Sequence, residues 1–161
     1  MLLGIKRLVT QRGVDANSSS GVPVNTLYAV PNRASPQGTS RIMTTGTDDV
    51  LYVFGWLDLS KGSQVLHVPD FSGRYYSVQF TNPFNVNFAY VGTRTTGTQA
   101  GDCLITGPDW KGQVPSGMTQ ISSPDNSVLV LGRVLVYSDS DLSTAYDLAE
   151  QIQLTPLSQK E

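Results

Sequence analysis

One cysteine, Cys103, and one histidine, His67, stand among the 161 residues, and these scarcities exclude more than any motif establishes. A lone cysteine rules out an intramolecular disulfide and a thiolate-rich zinc site. A lone histidine means that any Ser-His-Asp hydrolase or histidine-ligated metal centre must use His67. That residue falls between Leu66 and Val68 in an apolar run, where a hydrogen-bonded strand histidine is the plainer reading. No Gly-x-Ser-x-Gly elbow supports a hydrolase.

Clustered positive charge is missing too. Eleven Lys and Arg against thirteen Asp and Glu give a net charge of −2, with the basic residues scattered from Lys6 to Lys160. Displacing the counterions of a nucleic acid needs a basic patch, so nucleic acid is not the expected partner. No run approaches the ~20 apolar residues of a membrane helix. Met1 to Ile5 meets Lys6-Arg7 too soon for a signal core of ~7–15 apolar residues. The expectation is no membrane insertion and a cytosolic or particle-associated protein.

What is present is turn chemistry: 15 Gly and 9 Pro punctuate short apolar runs. The chain is long enough for one domain, which at this size buries roughly 70% of the surface of its unfolded form. The stretch from Asp49 to Val91 reads as a β-meander, with strands at Asp49–Leu59, Gln64–Val68, Arg74–Phe80 and Val86–Val91. In its first run Leu51, Val53 and Leu57 share one parity and Tyr52, Phe54, Trp56 and Asp58 the other. Two apolar faces imply a strand covered on both sides or lying at an interface. Gly55 is placed to allow a bulge or bend.

Further strands are expected at Val24–Val30, Arg41–Thr45, Cys103–Thr106 and Met118–Ile121, with Val128–Tyr137 as a central one. The period then changes to about 3.6 residues. Asp139 or Ser140 is placed to cap a helix, and Asp141 suits its first turn. Leu142, Ala145, Tyr146, Ala149 and Ile152 share a face, and Pro156 ends the segment. The fold class is all-β: an antiparallel, jelly-roll-like β-sandwich with one C-terminal helix. Residues 1–20 read as an arm and linker, 21–157 as the sandwich and 158–161 as a tail.

The loop from Gly92 to Asp102 is the best functional candidate. Arg94, Thr95, Thr96 and Asp102 combine a guanidinium, hydroxyls and nearby glycine amides, a set able to hold a carboxylate or phosphate. It lacks the Gly-Lys-Ser/Thr ending of a Walker loop. The plainer reading is that Arg94 and Thr95 pin an irregular connection. Asp48, Asp49, Asp58, Asp70, Asp102, Asp109 and Asp125 fall at turns, where carboxylates accept backbone hydrogen bonds. Asp139 and Asp141 lack a calcium-ligand ladder.

Trp56, Trp110, Tyr75 and Tyr76 are the rings able to stack on a sugar, although core or interface packing is the plainer reading. Cys103 follows an aspartate in an apolar strand, which opposes thiolate formation. No catalytic residue, metal or cofactor is expected. The arm is more apolar than a free tail should be, so Leu2, Leu3 and Ile5, with Phe54 and Trp56, form the candidate interface.

From about Gly21 to Leu157 the chain resembles the bacterial family catalogued as domain of unknown function 1254. The residues that carry the likeness are Asn25-Thr26-Leu27-Tyr28, Asp49-Val50-Leu51-Tyr52, Trp56-Leu57-Asp58-Leu59 and Val68-Pro69-Asp70 with Gly73-Arg74-Tyr75-Tyr76. It continues in Asn87-Phe88, Gly92 to Thr98, Gly107-Pro108 with Trp110 and Gly112, Gly132-Arg133, and Leu154-Thr155-Pro156-Leu157. Val50 departs from the Thr, and Cys103 from the aromatic, that the family pattern carries there. Proteins of that family are usually longer, with a helical segment before this domain and a second β-rich domain, of unknown function 1214, after it; the expectation here is a stand-alone domain lacking that companion. It extends to large DNA viruses, where a lone sandwich suits a particle component.

Two functional expectations follow. The first is a non-catalytic sandwich acting by self-association, as a homo-oligomer or a structural component of a larger assembly. The second is a small-molecule, anion-binding or hydrolytic domain using the Thr-rich loop 92–102, with Asp102 or His67 beside Arg94. A lectin role ranks third.

Overall fold

The computed structural model describes Lys6, residues 22–31 and residues 49–157. The strand expected at Arg41–Thr45 and the arm residues Leu2, Leu3 and Ile5 lie outside the described residues.

Two long strands set the frame. β2 (Val50–Asp58) and β8 (Ser127–Leu135) pair antiparallel along their whole lengths, from Val50 opposite Leu135 to Asp58 opposite Ser127. β1 (Leu27–Ala29) flanks β2, while β4 (Tyr76–Thr81) and then β5 (Asn87–Gly92) flank β8. Among the described residues the result is a five-stranded sheet in the order β1-β2-β8-β4-β5. The second sheet has four strands in the order β7-β6-β3-β9, built from β3 (Gln64–Val68), β6 (Gly101–Thr106), β7 (Thr119–Ser122) and β9 (Gln153–Pro156). It is mixed, because β7 runs parallel to β6.

Alternation fixes what fills the space between the sheets. Leu51, Val53 and Leu57 of β2, Val128, Val130 and Val134 of β8, Tyr76, Val78 and Phe80 of β4, and Leu66, Val68, Cys103 and Ile105 of the second sheet form one buried core. Phe71, in the turn before β4, stacks on Tyr76 with ring centroids 3.9 Å apart. The other face of β2 is buried as well: Val50, Tyr52, Phe54 and Trp56 join Val22, Val30, Leu129 and Leu131 in a second cluster. β2 is therefore covered on both sides, and Lys6 sets its Nζ 5.7 Å from the centre of the Trp56 ring.

The stretch from Asp49 to Val91 is not a meander. β2 and β3 lie in different sheets, β4 returns to the first, and only β4 and β5 pair as a hairpin. A 3-10 turn at Leu59–Lys61, started by Asp58 accepting the Ser60 N–H at 3.0 Å, carries the chain across. Alternation identifies a strand without naming its neighbour, so a crossover between sheets reads like a hairpin. Gly55 makes no bulge, since the β2–β8 register runs through it unbroken. Its open side lies against Thr26 and Leu27.

The first strand is shorter than expected because Asn25 takes a left-handed backbone, φ 63°. Its amide then clamps the main chain of Asp58, accepting the N–H at 2.8 Å and donating to the carbonyl at 3.2 Å. The helix is shorter too. A 3-10 turn at Asp139–Asp141 leads into α1 (Leu142–Glu150), whose Ala145 and Ala149, with Ile152 beyond it, enter the central core. Pro156 does not end this helix; it ends edge strand β9, opposite Gln64. The apolar spacing continues past Glu150 because Ile152 serves the same core from a new backbone geometry, and an edge strand tolerates a proline.

Candidate anion-binding cleft

Beside the β4–β5 hairpin, Tyr75, Ser77, Tyr90, Arg94, Thr95 and Arg133 surround a cleft of about 350 Å³. Each reaches it for a local reason. Arg133 and Ser77 face each other across β8 and β4 in the register of the sheet. Tyr90 projects from β5, the sheet's outer strand, and is 46% exposed. Arg94 comes from the turn after β5 and lies 5.9 Å from the centre of the Tyr75 ring. Arg133 lies 5.9 Å from that of Tyr52.

The turn itself is built from the threonines. The carbonyl of Gly92 accepts N–H bonds from Thr95 at 3.0 Å, Thr96 at 2.9 Å and Gly97 at 3.0 Å. Thr96 Oγ1 accepts the Gly92 N–H at 3.1 Å, and Thr95 Oγ1 donates to the Tyr90 carbonyl at 3.1 Å. Thr93 Oγ1 accepts from Tyr76 N at 3.1 Å, and Thr98 Oγ1 accepts from Gly73 N at 3.2 Å. Their hydroxyls hold the loop. Gly92 is required because its Cα lies against the chain opposite: a Cβ there would come within 2.4 Å of the Tyr76 carbonyl oxygen and 2.8 Å of Ser77 Cα.

The guanidiniums are not used this way. Among the described residues neither Arg94 nor Arg133 pairs with a carboxylate; each rests near a tyrosine ring. Two cations sharing one concave, partly aromatic surface favour a planar anion, which a guanidinium can bind through two parallel N–H bonds.

Of the residues named from the sequence, Arg94 and Thr95 line the cleft, whereas Thr96 supports the turn and Asp102 belongs elsewhere. Asp102 faces His67 across the β6–β3 pair, Oδ1 to Nδ1 at 2.7 Å, with the two side chains 27% and 43% exposed. The four candidate stacking rings part company: Trp56 and Tyr76 are buried, Tyr75 reaches this cleft, and Trp110 lines another. Phe54 and Trp56 are 1% and 2% exposed within the chain itself. Tyr90, Ser77 and Arg133 complete the lining. The one sequence signal for Arg133 is a cation inside the longest apolar run after Val91; nothing local marks the others.

A protein-family model, Protein of unknown function (DUF1254), matches residues 24–156. The chain belongs to that family. Its fold is similar to a crystal structure from Vibrio parahaemolyticus at TM-score 0.70 and 25% identity, over 86% of this chain and 32% of that one. An uncharacterised Burkholderia cenocepacia protein shares the fold at TM-score 0.50 and 12% identity, over 84% of this chain and 36% of its own. The DUF1254 chain described here therefore spans about a third of either structure. No curated protein matches it.

Proposed function

We propose that this DUF1254 domain is a non-catalytic binding module for a small organic anion, held in the cleft between Arg94 and Arg133. The observation that carries this reading is the convergence of two guanidiniums, unpaired with any described carboxylate, on one cleft with Tyr75 and Tyr90. The paired His67 and Asp102 lie on the other sheet and do not line the cleft, so they give it no base for hydrolysis. The test is calorimetric titration with benzoate and with inorganic phosphate. Arg94→Ala and Arg133→Ala should each weaken binding about tenfold or more, as expected for a lost charge-assisted hydrogen bond, without unfolding the domain. Binding unchanged in both variants, or absent from the wild type, defeats the proposal.

A second reading is self-association along the β5 edge. Phe84 is 78% exposed and Val86 54% exposed on a rigid turn, where Asn82 Oδ1 accepts both of their N–H groups at 3.0 and 2.9 Å. β5 itself, Asn87 to Gly92, carries no charge or proline to blunt strand pairing. Light scattering across a concentration range decides it. A discrete oligomer lost in Phe84→Ser supports association there, and a monomer throughout removes it.

A further inference from the structure

A second cleft, of about 340 Å³, opens at the far end of the β2–β3 turn and is lined by Ser60, Ser63, Asp109, Trp110 and Asn126. The loops that build it are tied together firmly. The Leu59 N–H donates to the Asn126 carbonyl at 2.8 Å, and Trp110 N donates to the Gly107 carbonyl at 3.3 Å. Gly112 packs flat beneath the indole, where a Cβ would come within 2.7 Å of Trp110 Cζ2. The ring is thus set at the cleft wall, half-buried, by backbone contact.

The polar groups here differ from those of the Thr-rich turn in being unspent. Among the described residues the only side chain of this set with a hydrogen-bond partner is Ser60, which donates to Asp58 Oδ1. The side chains of Asp109, Trp110 and Asn126 have no hydrogen-bond partner among the described residues. Ser63 is 7% exposed, and its Oγ is buried without a hydrogen-bond partner. A buried hydroxyl left unpaired costs stability, and Ser63 is one of the residues that line the cleft.

We infer that this cleft is a binding site for a neutral carbohydrate. An aromatic ring offers its face to the C–H surface of a pyranose. A carboxylate, a carboxamide and a serine hydroxyl are the acceptors and donors that a sugar's vicinal hydroxyls satisfy. One acid and no cation among the described residues that line the cleft argue against an anionic ligand. The site is separate in residues and chemistry from the Arg94 cleft, and the two do not depend on each other.

The experiment is saturation-transfer NMR and tryptophan fluorescence with methyl glucoside, methyl galactoside, cellotetraose and chitotetraose as probes. At least one should bind and perturb Trp110 emission, while buried Trp56 stays constant. Asp109→Asn and Trp110→Ala should each weaken binding about tenfold or more, and Trp110→Phe should retain part of it. Because Trp110 also packs on Gly112, the exposed Asp109→Asn variant is the control against a loop that fails to form. Arg94→Ala should leave sugar binding unchanged. No response from any of the four sugars overturns the inference, as does binding that survives both Asp109→Asn and Trp110→Ala.

Discussion

Arg74 and Asp141, 67 residues apart, meet as a two-point ion pair, with Nη1 to Oδ2 at 2.5 Å and Nη2 to Oδ1 at 2.7 Å. The same guanidinium donates to the Leu135 carbonyl at 2.7 Å and lies 4.6 Å from the centre of the Tyr137 ring. Asp141 Oδ2 also accepts the Tyr137 N–H at 2.9 Å. One pair therefore joins the start of β4, the end of β8 and the entrance of α1. The bond to Asp141 is the main cause that pushes the Arg74 pKa up, so the pair stays charged.

With side chains only 9% and 16% exposed, the pair is mostly buried, and removing one partner strands the other. Arg74→Met or Asp141→Leu alone should cost about 3–5 kcal/mol, a fall in Tm on the order of 10 °C. The double variant should recover part of that, but not all, because the Leu135 carbonyl and Tyr137 N–H lose their partners. Thermal unfolding of the three variants checks this, and additive losses would contradict it.

Gly92 joins fold and cleft. Gly92→Ala forces a methyl into the Tyr76 main chain and should destabilise the domain by about 1–3 kcal/mol. The same shift moves the turn that carries Arg94, so binding of the anion should fall along with Tm. A variant of wild-type stability would show that β4 and β5 yield more readily than their spacing allows.

The parts of this molecule legible in the sequence are those set by neighbours in the chain. Gln64–Val68 is a strand between turns, and Asp70 accepts the Ser72 N–H at 2.8 Å, as expected for an aspartate before a turn. Strand pairing was not legible, because burial alternates identically whether a strand turns back or crosses to the other sheet. Asp141 shows the same limit. Its place before a helix suggested a local role, yet its carboxylate makes no cap and turns instead to Arg74. Arg94 was visible as a cation in a polar loop; Arg133 becomes its neighbour only through the β8–β4–β5 pairing.

Tyr146 gives an alkaline signature. Its hydroxyl is pushed up to about 12, mainly by a hydrogen bond to Glu150 one helical turn on, from an ordinary value of 10.0. The folded state then holds the phenolic proton more tightly than the unfolded chain does. The contribution is full below pH 10.0 and lost as pH rises towards about 12. Tm should decline across that window, and Tyr146→Phe should decline less steeply. Parallel curves for the two proteins would rule out the Glu150 bond as the cause.

Cys103 lies in β6 with its side chain in the central core. Burial pushes its thiol pKa up, and the neighbouring Asp102 carboxylate adds to that in the same direction. A thiolate is needed for alkylation, so both effects slow the reaction, and burial also blocks the reagent. Iodoacetamide should leave the native protein unmodified at neutral pH while labelling it at once in denaturant. Asp102→Asn separates the causes: it removes the charge, and the bond that charge makes to His67, but leaves the core closed. If burial dominates, the native variant should stay almost as resistant as the wild type, with labelling limited by opening of β6. Rapid labelling of the folded variant would mean instead that Asp102, held by His67 on the outer face of the sheet, is what keeps the thiol protonated.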